Sequence, residues 1–156
     1  MTMMKESMKN VAIEYNNPLK LRVVGHDTAS GRDMECLQLE RFRTMTDGCR
    51  AAAIIAVGII SGTAKGCMKR RHETLDAFLT KWAPLSCENV NSYIKRVCEI
   101  TGYDKMRRLF PVQKHVICFV LWAMAQVECG QVIPLHFFEN GFSLAFPSRP
   151  NNKNIT

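Results

Sequence analysis

Pro111-Val112-Gln113-Lys114-His115-Val116-Ile117-Cys118-Phe119-Val120-Leu121-Trp122-Ala123-Met124-Ala125-Gln126-Val127-Glu128-Cys129-Gly130 is the most apolar stretch of the chain, and its reading decides the fold. From Val116 to Ala125 it carries no charge. A bilayer span needs roughly 20 apolar residues, so this run reads as a helix buried in a protein core. Proline suits a helix start, where its missing N–H has no partner in any case. Glycine after the last turn supplies the left-handed stop. The pattern predicts a helix over 112–128.

Working outward, the neighbouring segments carry helix punctuation too. Asn89 can cap a helix over 90–101, whose apolar set Val90, Ile94, Val97 and Cys98 forms a helical stripe closed by Gly102. Thr74 can cap a helix over 75–83 that Pro84 stops. A second apolar run, Ala51 to Ile60, is broken only by Gly58; Asp47 is a cap for a helix over 48–61, with Gly62 past its end. Apolar on nearly all faces, this helix is expected at the centre. A short turn is expected over 104–109 and a last short helix over 134–140. Near the N-terminus the text changes. Leu19 to Val24 alternates as a half-buried strand does, Gly25 to Gly31 is a turn cluster, and Cys36 to Phe42 is the return strand. The expected fold class is mainly α (α+β), with a small N-terminal β-hairpin. At 156 residues the chain fits one domain, over 11–146, with flexible ends at 1–10 and 147–156.

The formal net charge is +7, which favours polyanions: nucleic acid, anionic membrane or anionic cell wall. The densest cationic run is Lys65, Lys69, Arg70, Arg71 and His72. Aromatic residues do not interleave with it, so no base-stacking platform and no specific nucleic-acid partner are expected. The start, Met1 to Ser7, is not followed by an apolar run, which predicts synthesis in the cytoplasm without an export signal. Seven cysteines form no C-x-x-C pair, and Cys49, Cys98 and Cys118 sit in apolar helical patterns; reduced thiols are expected. Phosphate loops, dinucleotide fingerprints and metal-ligand spacings are not found, so neither cofactor nor metal is predicted. His26, His72, His115 and His136 are scattered.

Three features have chemical potential, each with a plainer structural reading beside it. Glu128 ends the most apolar helix. Apolar neighbours and the carbonyl end of the helix dipole both disfavour a charged carboxylate there. A carboxyl kept protonated near neutral pH is what a glycosidase uses to protonate a leaving oxygen. By position alone Glu128 also reads as a surface residue at a frayed helix end. Asn16-Asn17-Pro18 offers carboxamides suited to sugar hydroxyls, or simply initiates a turn. Trp82 and Tyr93 flank a polar loop, where they can stack on sugars or close the edge of the core.

Taken in order, four segments resemble a family of phage and prophage virion-associated lytic proteins. Ala12-Ile13-Glu14-Tyr15-Asn16-Asn17-Pro18-Leu19-Lys20-Leu21-Arg22 is similar to its G-I-R-N-N-N-P-G-N-I-R opening. Phe42 with Asp47-Gly48-Cys49-Arg50-Ala51 looks like F-x-x-x-x-x-G-x-R-A. Trp82-Ala83-Pro84-Leu85-Ser86-Cys87-Glu88-Asn89-Val90-Asn91-Ser92-Tyr93-Ile94 resembles W-A-P-x-x-E-N-x-x-x-Y-I, the most specific of the four. Ala123 to Gly130 looks like A-(I/M)-x-x-x-E-x-G. The resemblance implies a lysozyme-like helical domain in permuted order. It also implies a peptidoglycan-degrading glycosidase of the lytic transglycosylase or muramidase/glucosaminidase type. It places Glu128 as the catalytic acid, with Asn16, Asn17, Arg22, Trp82, Glu88, Asn89 and Tyr93 along the glycan groove. A hydrolase would need a second carboxylate, with Asp27, Asp33 and Glu40 as candidates. The implied partner is the glycan strand of bacterial cell wall, reached in a phage particle, through a holin or by a secretion system. Leu19 and Lys20 stand where the family has Gly and Asn, and Glu14 where it has Arg. The alternative is therefore a catalytically inactive virion structural or cell-wall-binding protein with the same fold.

Overall fold

The computed structural model describes residues 11–21, 39–64, 69–82 and 89–148. After a helical turn at 11–14 come α1 (Met45–Ser61), α2 (Leu75–Trp82), α3 (Val90–Thr101), α4 (Lys114–Cys129) and α5 (Leu135–Ala145). The protein is mostly helical. Among the described residues, strand pairing is confined to isolated bridges, at Leu39 and between Thr74 and Arg108. No described helix is long and apolar enough to cross a membrane.

The apolar stretch that opened the sequence reading becomes the axis of the core. α4 packs against α1, α3 and α5, and its Val116, Ile117, Val120, Leu121, Ala123 and Met124 are all buried. It begins two residues later than expected. Gln113 takes the cap position, and Pro111, on the far side of a cis peptide bond from Phe110, lies outside the helix. Gly130 closes the far end at φ 70° and donates its N–H to the Gln126 carbonyl, a left-handed stop that costs glycine no Cβ clash.

α1 corrects two expectations. Its cap is Thr44, whose hydroxyl accepts from the Asp47 N–H at 3.1 Å; Asp47 is the acidic residue of the first turn. That is a Thr-x-x-Asp arrangement related to the capping box. The helix packs on α5, α4 and α2, but it is not buried on all faces. Gly48, Cys49, Ala52, Ala53, Ala56, Ile59 and Ile60 face the core, while Ile54 and Ile55 are exposed on the outer side. The small residues on the inner side let α5 come close. A Cβ at Gly141 of α5 would stand 2.6 Å from the Arg50 backbone nitrogen. α5 runs on to Ala145 rather than stopping near Asn140, and Gly141 inside it is a packing residue. α2 ends at Trp82 within its expected span, and α3 matches its expected bounds with Asn89 and Gly102 as caps.

Most of the expected hairpin, including its turn cluster, lies in 22–38, outside the described residues. Where the chain is described, the Glu40 N–H donates to the Leu21 carbonyl at 2.9 Å. Leu19 and Lys20 do not begin a strand. The Lys20 N–H returns to the Asn17 carbonyl at 3.1 Å, closing a turn over Pro18, and Lys20 has φ 55°. The alternation tracked burial, since Leu19 and Leu21 are inside. It did not report an extended backbone. Lys20 takes a left-handed conformation that Asn tolerates better than Lys, at the position where the resembled motif carries Asn.

Candidate active site

The described residues bring two of the singled-out segments together. The Cys129 thiol donates to the Pro18 carbonyl at 3.1 Å, which seats the end of α4 against the 16–18 turn. Glu128, one residue earlier, is only 4% exposed. It is therefore an inward-facing carboxyl, and the surface reading of this residue is overturned.

The turn itself is built by its carboxamides. Asn17 is fully buried. Its Nδ2 donates to the Leu21 and Glu40 carbonyls at 2.8 and 2.9 Å, and its Oδ1 accepts from the Leu21 N–H at 2.7 Å. Both amide hydrogens are thus spent on backbone, which removes Asn17 from the expected glycan-binding set. Asn16, at φ 55°, donates from Nδ2 to the Phe42 and Arg43 carbonyls. A Cβ at Gly48 would run into the Asn16 carbonyl, so the F-x-x-x-x-x-G-x-R-A segment and the Asn turn fit only with glycine between them.

The remaining expected residues stand elsewhere on the helices. Asn89 is exposed and accepts the Ser92 N–H as the cap of α3. Tyr93 is buried in the core, and Trp82 is half-buried with its ring 5.6 Å from Phe78. Tyr93 thus follows its core reading. Arg22, Glu88, Asp27 and Asp33 lie outside the described residues, as do Lys65 and the 83–88 part of the W-A-P segment. Glu40 is half-buried, with both its N–H and its carbonyl engaged in backbone support of the turn. Among the described residues, no group of three His, Cys, Asp or Glu is placed to hold a metal ion.

Sequence reasoning missed two basic features. Arg41, Arg43 and Arg50 rim a concavity floored by Phe42, Ala51 and Ile54, directly beyond the carbonyls that Asn16 holds. The second joins the 69–72 run to Lys105, Arg107 and Arg108, and aromatic rings do meet it in space. Arg71 lies 4.2 Å over Phe110 and Arg107 4.3 Å over Tyr103. The only sequence signal was a second basic cluster about one helix pair downstream, which spacing alone could not dock onto the first.

The thiols of the core are shielded. Cys49, Cys98, Cys118 and Cys129 form no disulfide with one another. Burial raises Cys49 above the ordinary thiol value of 9.0, with Cys118 and Cys129 adding to the effect. Burial also pushes Cys118 up to about 11, against a lowering by Lys114.

Fold and site together define a helical domain whose apolar central helix ends in a buried carboxyl beside an asparagine-built turn. No family model matches the chain, and no curated protein matches it in sequence.

Proposed function

We propose that the protein is a lysozyme-like glycosidase acting on the glycan strands of bacterial cell wall, with Glu128 as general acid. The observation that carries the reading is the burial of Glu128 at the end of α4, one residue before the Cys129 that bonds to Pro18 of the Asn16–Pro18 turn. Burial disfavours ionisation of a carboxyl, and a retained proton is what the leaving oxygen requires. The ordered resemblance from Ala12 to Gly130 supports the same role. Arg41, Arg43 and Arg50 supply positive charge toward the carboxylates of an anionic wall polymer.

In the transglycosylase form, Glu128 gives its proton to the glycosidic oxygen as the bond to the anomeric carbon breaks. A hydroxyl of the same sugar then bonds to that carbon and returns its proton to the carboxylate. In the hydrolase form water takes the place of that hydroxyl, and a second carboxylate, Asp27, Asp33 or Glu40, assists.

The test is zymography on purified peptidoglycan with wild type and Glu128→Gln, both checked for helical content. Wild type clears the gel, and the variant loses about 100-fold or more of the rate. Equal clearing by both would sink the assignment of the acid. One observation favours a second reading, a non-catalytic virion or wall-binding protein: Asn17, Tyr93 and Glu128 itself are all buried, and Glu128 lines neither of the two depressions described on the surface. That reading is supported if neither protein clears while both sediment with intact wall.

A further inference from the structure

The loop from Lys69 to Asp76 and the loop from Asp104 to Leu109 are stitched into one surface. The Leu75 N–H donates to the Arg107 carbonyl at 2.9 Å, Asp76 to Lys105 at 2.7 Å and Leu109 to Glu73 at 2.6 Å, around the Thr74–Arg108 bridge. These bonds are all backbone to backbone; the side chains of Leu75 and Leu109 turn into the core, and the basic side chains are left outside. Lys69, Arg70, Arg71, Lys105, Arg107 and Arg108 are all exposed, against the acids Glu73, Asp76 and Asp104.

The guanidiniums are held in place. Arg71 lies on Phe110, and Arg107 lies on Tyr103. Tyr103 is backed edge-on by Phe119 at 5.6 Å, and Phe119 stacks on Trp122 at 5.3 Å, both on α4. Glu73 Oε1 reaches Arg108 at 2.9 Å and Arg71 at 4.0 Å, drawing two arginines to one point. Tyr103, Arg107 and Arg108 line a depression of about 440 Å³. A guanidinium fixed on a ring presents its N–H edge with less ordering cost on binding, and that edge matches phosphate oxygens.

We propose that this surface binds the phosphate backbone of nucleic acid without sequence preference, independently of the glycosidase reading. Two features select that partner. Arg71 and Arg107 each cover one face of Phe110 and Tyr103, so those faces are closed to bases and the guanidinium edges are left for the backbone. Among the described residues of the two loops, Met106 is the only large apolar side chain exposed, too little to anchor in a lipid surface.

The experiment uses the full chain and short fluorescent DNA duplexes of two unrelated sequences, titrated between about 50 and 200 mM salt. Two triple variants are compared with wild type: Arg71→Gln/Arg107→Gln/Arg108→Gln on the platform, and Arg41→Gln/Arg43→Gln/Arg50→Gln elsewhere with the same loss of charge. Both duplexes bind wild type alike. The platform variant weakens binding by about tenfold or more at the low-salt end and lowers the log–log salt slope by about 2 to 3, while the other variant changes much less. Equal losses from both variants would trace binding to net charge and overturn the proposal. So would absence of binding by wild type at low salt, a strong preference between the duplexes, or tighter capture by anionic phosphatidylglycerol vesicles than by DNA.

Discussion

The Asn16–Leu21 turn and the basic platform are both largely non-helical segments pinned to a distant part of the chain, yet side chains take different shares in the pinning. At the turn, carboxamides add to the backbone bonds from Glu40 to Leu21 and from Phe42 to Tyr15: Asn17 holds Leu21 and Glu40, and Asn16 holds Phe42 and Arg43. At the platform the backbone does it, through Leu75, Asp76 and Leu109. A carboxamide has few hydrogen-bonding directions, and those spent on the fold are lost to a ligand. The turn therefore ends as a buried support for the end of α4. The platform keeps its charged side chains free to meet a partner.

The largest effect expected from this difference falls on Asn17. Asn17→Leu keeps the volume but strands the Leu21 N–H and takes the side-chain partner from the part-buried Glu40 carbonyl, while the Leu21 carbonyl keeps its bond from the Glu40 N–H. Each buried backbone group left unsatisfied costs about 1–3 kcal/mol, so the substitution should destabilise the protein by about 3 kcal/mol. Urea unfolding measures it as a fall in midpoint at unchanged slope. A loss below about 1 kcal/mol would mean the amide is dispensable to the fold and would return Asn17 to the list of ligand-binding candidates.

The contrast also explains how much could be read beforehand. Helices announced themselves through local signals: Asn89 and Gly102 bracket α3, and Gly130 ends α4. Local signals failed where a distant segment intervened. The last helix was expected to be short, over 134–140, because nothing in its neighbourhood reveals that the Arg50 backbone lies against Gly141. Ala51 to Ile60 looked buried on nearly all faces because composition does not say which face α5 covers and which stays outside. At the site, the resemblance marked Glu128, while its position alone left it open between an apolar helix end and a frayed surface end, and burial decides for the first. The roles of Asn16 and Asn17 were not foreseen, because their partners at Glu40, Phe42 and Arg43 lie more than twenty residues away. The arginine–ring pairs were hidden for the same reason.

A middle-sized effect should separate interior from surface by pH. The Cys49 thiol is raised by burial, then by Cys118 and Cys129, whereas arginine charges do not titrate in any accessible range. A thiol whose folded pKa is raised contributes stability that is fully present below its unfolded value of 9.0 and is lost as pH climbs toward the folded value. One pH unit above that value the loss from Cys49 is about 1.4 kcal/mol. Denaturant unfolding from neutral to about pH 10 should show this alkaline decline, and Cys49→Ala, whatever its stability at neutral pH, should show a shallower one. Parallel declines in the two proteins would remove Cys49 as a source.

The smallest effect belongs to Glu73. Its carboxylate joins Arg108 and Arg71, but the two arginine side chains are 64% and 55% exposed. Exposed ion pairs contribute about 0–1 kcal/mol, and salt reduces that further. Glu73→Gln should therefore shift stability by no more than about 0.5 kcal/mol, while the backbone bonds through Leu75, Asp76 and Leu109 hold the platform together. The same change adds one positive charge to the surface, so DNA affinity should rise modestly at low salt. A stability loss approaching that of Asn17→Leu would show that side chains stitch the platform as they stitch the turn. The distinction between the two regions would then rest on charge alone and not on how each is held.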